Sequence, residues 1–302
     1  MSIINTIIND DVILGLKAVP DEVVSLICTS PPYNVAANKW SYATASDDQP
    51  YADYIKWLAD VFKECYRTLR KGGRLVINID AMTNRQDDKE EQYIRDIRTD
   101  LANVLRPMCF KFFGEHIWYK SALSPEKNGG QFNGKKTAWG SYKSCSSPAV
   151  RRNHEYILVY SKEQFRLDKD ADSLDPDISG VDFEKFIAST WSMNAETRNL
   201  GDHPVPFPVE LPLRCIKLYS YPNDVVMDPF NGVGTTTYVA YKTGRRYIGI
   251  DMDKDYCVYA EERIASKDSD VESDLFKLKP EKKTKRQIEA ERCKDAEDNF
   301  IL

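Results

Sequence analysis

Hydrophobic and polar positions follow two different periods along the first 119 residues. Residues 25–28 (SLIC) form a short apolar run between turn-forming segments, which predicts a buried strand. Over residues 53–69, Ile55, Leu58, Ala59, Phe62, Tyr66 and Leu69 fall at helical spacing. The pair Arg70-Lys71 followed by Gly72-Gly73 then reads as a helix exit. Residues 74–79 (RLVINI) predict a second buried strand, residues 94–105 another helix, and residues 109–119 an aromatic-rich strand. Strands alternating with helices predict an α/β fold with a mostly parallel sheet.

Periodicity is lost over residues 120–152, which fill with Gly, Ser, Pro and Asn, and strand character returns at residues 154–160 (HEYILVY). Residues 163–184 are Asp-rich and weakly periodic, predicting an irregular excursion. A proline-punctuated segment, 204–212 (PVPFPVELP), leads into a helix around 213–219. A strand at 225–227, a glycine loop, a helix to about Thr243 and a strand at 246–250 follow. Beyond Lys267 the chain is highly charged with few large apolar residues, as in a solvated helix or extension.

Composition narrows the class. With 302 residues, 42% hydrophobic and 29% charged, the chain suits one large or two small globular domains rather than a disordered or fibrous protein. No stretch approaches the roughly 20 apolar residues of a membrane span, and the start, MSIINTIINDD, lacks the basic opening of a signal peptide. The seven cysteines are scattered without CxxC spacing, so reduced thiols and a cytoplasmic location are expected. Of the three histidines, His116 reads as core, and none pairs with Cys or carboxylates at metal-ligand spacing, so no metal is expected. The net charge of −5 argues, at face value, against a polyanionic partner.

Two short motifs carry the chemistry. Asp228-Pro229-Phe230-Asn231-Gly232-Val233-Gly234-Thr235-Thr236 follows a strand and opens a helix, and Asp251 ends the next strand. A tight glycine turn there lets backbone N–H groups and a helix start approach a cofactor, while a carboxylate closing the second strand can accept from two ribose hydroxyls. No Lys-Ser/Thr follows Gly234, which disfavours a triphosphate, and the third glycine of the dinucleotide fingerprint is missing. A cationic, single-ribose cofactor fits better, with Asp228 facing a positive amino group. A glycine turn that only closes a βαβ unit would look the same in isolation.

The second motif, Thr29-Ser30-Pro31-Pro32-Tyr33-Asn34, comes directly after the strand at 25–28. Prolines fix φ, so the Pro31 carbonyl is held rigid where open α/β folds bind ligands. That carbonyl and the Ser30 hydroxyl can accept both hydrogens of a planar exocyclic amine, and Tyr33 offers a face on which an extruded base can stack. Drawing the amine lone pair out of conjugation activates that nitrogen as a nucleophile.

Together these motifs resemble those of the amino-methylating DNA methyltransferases, which use S-adenosylmethionine. The resemblance spans most of the chain to about Ile264. It includes Asp11, Pro20-Asp21, TSPPYN, residues 69–79 (LRKGGRLVINI), 154–162 (HEYILVYSK), 203–208 (HPVPFP) and 224–251. It implies a Rossmann-like methyltransferase fold with an inserted target-recognition region. By the same resemblance Thr29, Asp228, Phe230, Gly232, Gly234, Thr235, Thr236 and Asp251 hold the cofactor, with Asp11 near its adenine. Ser30, Pro31, Pro32 and Tyr33 form the catalytic pocket, His154 braces the strand beside it, and His203 precedes a segment covering the cofactor. The catalytic segment precedes the cofactor loop, the permuted order of the β group of these enzymes. Ser rather than Asp before PPY leans towards N4 of cytosine and away from N6 of adenine. An ionised Asp only accepts, whereas a Ser hydroxyl either donates to cytosine N3 or accepts from the amine. C5 methylation needs a cysteine nucleophile preceded by proline; Cys28 follows Ile27 and reads as a core thiol.

The expected partner is double-stranded DNA. Residues 120–152 carry seven bases (Lys120, Lys127, Lys135, Lys136, Lys143, Arg151, Arg152) against the single acid Glu126, interleaved with Phe132, Trp139 and Tyr142. That net +6 suits phosphate contact, and Lys127, Lys135, Lys136, Lys143, Arg151 and Arg152 are the candidate DNA-binding residues. Residues 163–185 hold eight acids and three bases, a poor surface for a phosphate backbone. The expected organisation is a catalytic half (1–119), a DNA-contact region (120–200, including a returning strand at 153–161), a cofactor half (201–266) and a charged extension (267–302). A nucleoid-associated prokaryotic enzyme, monomer or homodimer, follows, with a cognate restriction endonuclease as an open partner. DNA affinity is expected to fall steeply with salt through residues 120–152. A titration from low to high salt should give a log–log slope of about −0.9 per phosphate contacted, flattened by replacing these bases with Gln.

Overall fold

All six residues of β2 (Val24–Thr29) are buried, and the strand runs through the middle of the sheet. A strand covered on both faces takes apolar or small residues at every position, hence its lack of alternation. The computed structural model describes residues 3–34, 49–80, 95–120, 141, 143–148, 150, 153–194 and 207–266. β2 pairs in parallel with β3 (Leu69–Ile79) on one side and β7 (Val225–Asp228) on the other. β8 (Arg246–Asp251) and β1 (Thr6–Asn9) continue beyond β7, and β5 (His154–Lys162), β4 (Phe110–Lys120) and β6 (Thr190–Met193) beyond β3. The order is β1-β8-β7-β2-β3-β5-β4-β6, and among the described strands β5 alone opposes its neighbours. The expected mostly parallel α/β fold is the one observed.

The helices lie where their apolar stripes can be covered. α1 (Val12–Ala18) is capped by Asp11, α2 (Tyr51–Thr68) buries Tyr54, Leu58, Val61, Phe62 and Cys65, and α3 (Ile97–Leu105) buries Ile97, Leu101 and Leu105. α2 packs on β3, α1 and α3. α4 (Gly180–Phe186), α5 (Glu210–Tyr219), α6 (Thr235–Lys242) and α7 (Lys254–Ala265) complete the set of described helices. Three differences from the sequence reading matter. Helix α2 ends at Thr68, and Arg70 to Gly73 belong to β3. β1, among the opening residues, is not among the strands expected from the sequence, and it pairs with β8. Within the expected irregular excursion, α4 forms, and beyond it β6 pairs in parallel with β4.

Gly72 explains the first difference. Where β2 steps from Val24 to Leu26, β3 steps from Leu69 to Arg74, a bulge with Gly72 at φ 74°. The acidic excursion passes over the N-terminal edge of the sheet; most of its residues are exposed, but several of its acids pair with bases at that edge. Asp177 grips Arg245 at 2.6 and 2.8 Å and Lys217 at 2.6 Å. Asp170 pairs with Arg70, Ser173 Oγ donates to Asp224 at 2.5 Å, and Glu163 lies 3.5 Å from Lys71. A Cβ on Gly72 would sit 1.9 Å from the Arg166 carbonyl oxygen. Gly72→Ala is therefore expected to cost about 1–3 kcal/mol, read as a lower urea midpoint, while Gly244→Ala, with the same φ sign but open space around it, should cost less.

Candidate active site

Parallel pairing brings the two motifs together. Ile27 stands opposite Met227, so β2 and β7 end side by side, and the Thr29 hydroxyl donates to Asp228 Oδ1 at 2.6 Å. The Phe230 N–H donates to the same oxygen at 3.0 Å. Asp228 is 1% exposed. Burial pushes its carboxyl up to about 6, against the pull of those hydrogen bonds, and the nearby Asp251 adds to the rise. Asp251 closes β8, where its Oδ2 accepts from the Gly232 N–H at 2.7 Å and its Oδ1 from the Asp253 N–H at 2.9 Å. Burial raises it as well. Each oxygen keeps a lone pair for a further donor.

The glycine loop is built for close approach. Gly232 and Gly234 sit at φ 48° and 75°, and a Cβ on Gly234 would lie 2.6 Å from the Ala260 Cβ, so the loop packs directly on α7. Phe230 is half-buried, its ring centroid 5.6 Å from that of Trp57. The hydroxyls of Thr235 and Thr236 serve the fold: Thr236 donates to the Cys28 carbonyl at 3.1 Å, and Thr235 Oγ1 accepts from Arg263 at 3.2 Å. Asp11 lies just past β1, whose Asn9 faces Asp251, and its Oδ1 caps α1 through the N–H groups of Ile13 (2.9 Å) and Leu14 (3.2 Å).

The proline segment occupies the same edge one strand over. Ser30 Oγ donates to the Asn78 carbonyl at 3.1 Å and lies 3.2 Å from the Tyr33 hydroxyl. The Ser30 proton is engaged in these contacts, which leaves its oxygen able to accept. The Pro32 carbonyl takes the Tyr54 hydroxyl at 2.6 Å, whereas no hydrogen bond from the described residues reaches the Pro31 carbonyl. Ser30 and Pro31, neighbours in the chain, thus each carry an oxygen acceptor. Asn34, left-handed at φ 53°, ties the segment's end to Arg95 at 2.7 Å and to the Gln49 carbonyl at 2.9 Å. The Tyr33 hydroxyl donates to Glu155 Oε2 at 3.2 Å; burial and that carboxylate hold its pKa well above the phenol range. Glu155, on β5, escaped the sequence reading; its signal was a lone acid inside a buried apolar run.

Cys28 is 1% exposed, and the adjoining Cys215 thiol together with burial keeps it protonated, a poor nucleophile. His116 is core, stacked 4.1 Å from Trp191 and bonded to the Ala188 carbonyl and Tyr219 hydroxyl. His154 is half-buried, edge-on to Tyr156. Lys120, counted among the DNA-facing bases, is paired with Glu155 instead. Lys143 is exposed, at φ 59°. Lys127, Lys135, Lys136, Arg151, Arg152, Phe132, Trp139, Tyr142 and His203 lie outside the described residues, as does the extension at 267–302. Among the described residues no group of three or more His, Cys, Asp or Glu side chains gathers as a metal site, and no helix is long and apolar enough to cross a membrane.

A mostly parallel sheet with a glycine loop and a strand-end acid at its C-terminal edge defines the class of α/β methyltransferases that use S-adenosylmethionine. The chain belongs to the N6/N4 DNA methylase family, whose sequence pattern matches residues 24–262. It is similar to the type II methyltransferase M.MjaVI of Methanocaldococcus jannaschii, 31% identical over 193 residues, which are 64% of this chain and 87% of that one. It is also similar to the DNA adenine methyltransferase YhdJ of Escherichia coli K12, 28% identical over 290 residues, 92% and 88% of the two chains. A putative DNA modification methylase from Thermus thermophilus, TTHA0409, solved in complex with S-adenosyl-L-methionine, matches with a TM-score of 0.66 at 25% identity, over 86% of this chain and 93% of that one.

The residues present fit that cofactor. A buried carboxylate raised to about 6 is what a cationic amino group would relieve. The sign follows: below about pH 6 Asp228 holds a proton that the cation must displace, so affinity for S-adenosylmethionine should fall about tenfold per pH unit on acidification and level off above pH 7. Calorimetric titration between pH 5 and 8 checks this, and a flat profile would remove Asp228 from contact with the cation.

Proposed function

We propose that this chain is a site-specific methyltransferase acting on N4 of a cytosine flipped out of double-stranded DNA. The observation that carries the reading is that Ser30 and the tethered Tyr33 ring follow β2 at the same sheet edge as Asp228, to which Thr29 donates at 2.6 Å. Bound S-adenosylmethionine supplies an electrophilic methyl group on its sulfonium sulfur. Asp228 would face its amino group, Asp251 its ribose, and the loop at Gly232 and Gly234 would admit it closely. The chain's own contribution is positioning. Ser30 and Pro31 accept the two amine hydrogens and so draw the nitrogen lone pair out of the ring. Tyr33 gives the base a face to stack on; Asp11 caps α1, Thr29 donates to Asp228, Thr235 accepts from Arg263 and Thr236 holds the Cys28 carbonyl.

Ser30 in place of Asp supports cytosine N4. Methylation of adenine N6 is the second reading, favoured by the likeness to YhdJ over 92% of the chain. The likeness to the type II enzyme M.MjaVI supports a setting in which a restriction endonuclease reads the same site. Incubation with unmethylated DNA and S-adenosylmethionine, then nucleoside mass spectrometry, should yield N4-methylcytosine; N6-methyladenine would assign the second reading. Tyr33→Ala should lower transfer at least about tenfold, since stacking of a base on an aromatic ring is worth about 1–3 kcal/mol; full retention would place the base elsewhere.

A further inference from the structure

Glu155 belongs to neither motif. It is the second residue of β5 and 6% exposed. Because β5 runs antiparallel to β3, with Tyr156 opposite Ile79, its N-terminal end returns to the edge where β2 and β3 finish. Oε1 of Glu155 is paired with Lys120 at the end of β4. Oε2 accepts from the Tyr33 hydroxyl at 3.2 Å and from Asn78 Nδ2 at 2.9 Å. The carbonyl of the same Asn78 takes the Ser30 hydroxyl at 3.1 Å.

A buried carboxylate needs its charge balanced, and among the described residues Lys120 does that. The other oxygen is directed at the pocket. It holds the tip of the Tyr33 ring, whose torsions would otherwise be free to turn, and it holds the side chain of the residue that orients Ser30. Hydrogen bonds to an ionised acceptor are the strong kind, and a misplacement of an ångström at a reacting centre is enough to slow a positioned reaction severely.

We propose that Glu155, balanced by Lys120, is a positioning residue for methyl transfer: it anchors the tip of the Tyr33 ring, whose hydroxyl in turn meets Ser30, before a base enters. This rests on the reading of residues 29–33 as the target-base pocket. It acts through those side chains, not on the substrate, and so predicts an effect on turnover without loss of either ligand.

The test uses the full chain and the variants Glu155→Ala, Glu155→Gln, Tyr33→Phe and the double variant Tyr33→Phe/Glu155→Ala, with turnover on unmethylated DNA and S-adenosylmethionine affinity measured side by side. Glu155→Ala is expected to lower kcat about tenfold to a hundredfold, the worth of hydrogen bonds to a charged acceptor. The KM for DNA and the cofactor Kd should stay within about twofold. Glu155→Gln keeps an oxygen that accepts from Tyr33 and Asn78 and should recover most of the rate. On the Tyr33→Phe background the Glu155→Ala loss should shrink, because the link it would break is already gone. Equal losses in the Ala and Gln variants, a full multiplicative loss in the double variant, or a fall in cofactor affinity matching the fall in kcat would each overturn the proposal. Should Glu155→Ala not fold, Glu155→Gln decides: near-wild-type turnover with Tyr33→Phe impaired supports it, and a large loss overturns it. Wild-type transfer with an unaffected Glu155→Ala sinks this inference alone; no transfer by the wild type to any DNA sinks the functional reading along with it.

Discussion

Thr29 and Asp228 are 199 residues apart in the chain and 2.6 Å apart in space, and that contact exists because β2 and β7 pair in parallel. Parallel pairing aligns the carboxyl ends of strands, so whatever follows each strand arrives at one edge whatever its order in the sequence. The segment after β2 brings Ser30 and Tyr33 to this edge, and the loop after β7 supplies the tight turn. β8, one strand further, adds Asp251. β5 is the exception that completes the arrangement: running the other way, it brings its amino end to the same place, and Glu155 with it.

The edge stores electrostatic tension. Asp228 and Asp251 are both raised by burial, and the charge of Asp251 adds to the cost of ionising Asp228. The hydrogen bonds from Thr29, Phe230 and Gly232 relieve part of that cost. A bound cation would relieve the remainder, which is how buried carboxylates can favour a positive charge.

Much of this was legible in the sequence. β2, the second half of β3, β7 and β8 announce themselves as continuous apolar runs, and both motifs sit directly after such runs. Short edge strands do not: β1 and β6 have four residues each, with half-exposed faces, too few positions for a period to emerge. Gly72-Gly73 resembles a helix exit locally, and the deciding facts are distant, namely Asp224 and Asp170 waiting for Arg70 and the Arg166 carbonyl filling the space where a Cβ would go. Composition could count the acids of the excursion but not see what they face. Glu155 was hidden for the opposite reason, since the run HEYILVY reads as a strand whether its acid is solvated or not; only the antiparallel register turns it towards Tyr33.

The excursion over the N-terminal edge has a consequence for how the molecule meets a polyanion. Arg70, Lys71, Lys217 and Arg245 all lie at that edge, far along the strands from the candidate site, and each has a carboxylate from residues 163–177 laid upon it. Left bare, they would form a second cationic face pointing away from the chemistry, and DNA held there would be docked back to front. Covered by the chain's own acids, that face is electrically quiet. Lys120, at the end of β4, and Asn153, just before β5, lie at the other end of the strands. The acids of residues 163–177 thus neutralise bases far from the candidate site, a local pairing that the overall charge of −5 does not reveal.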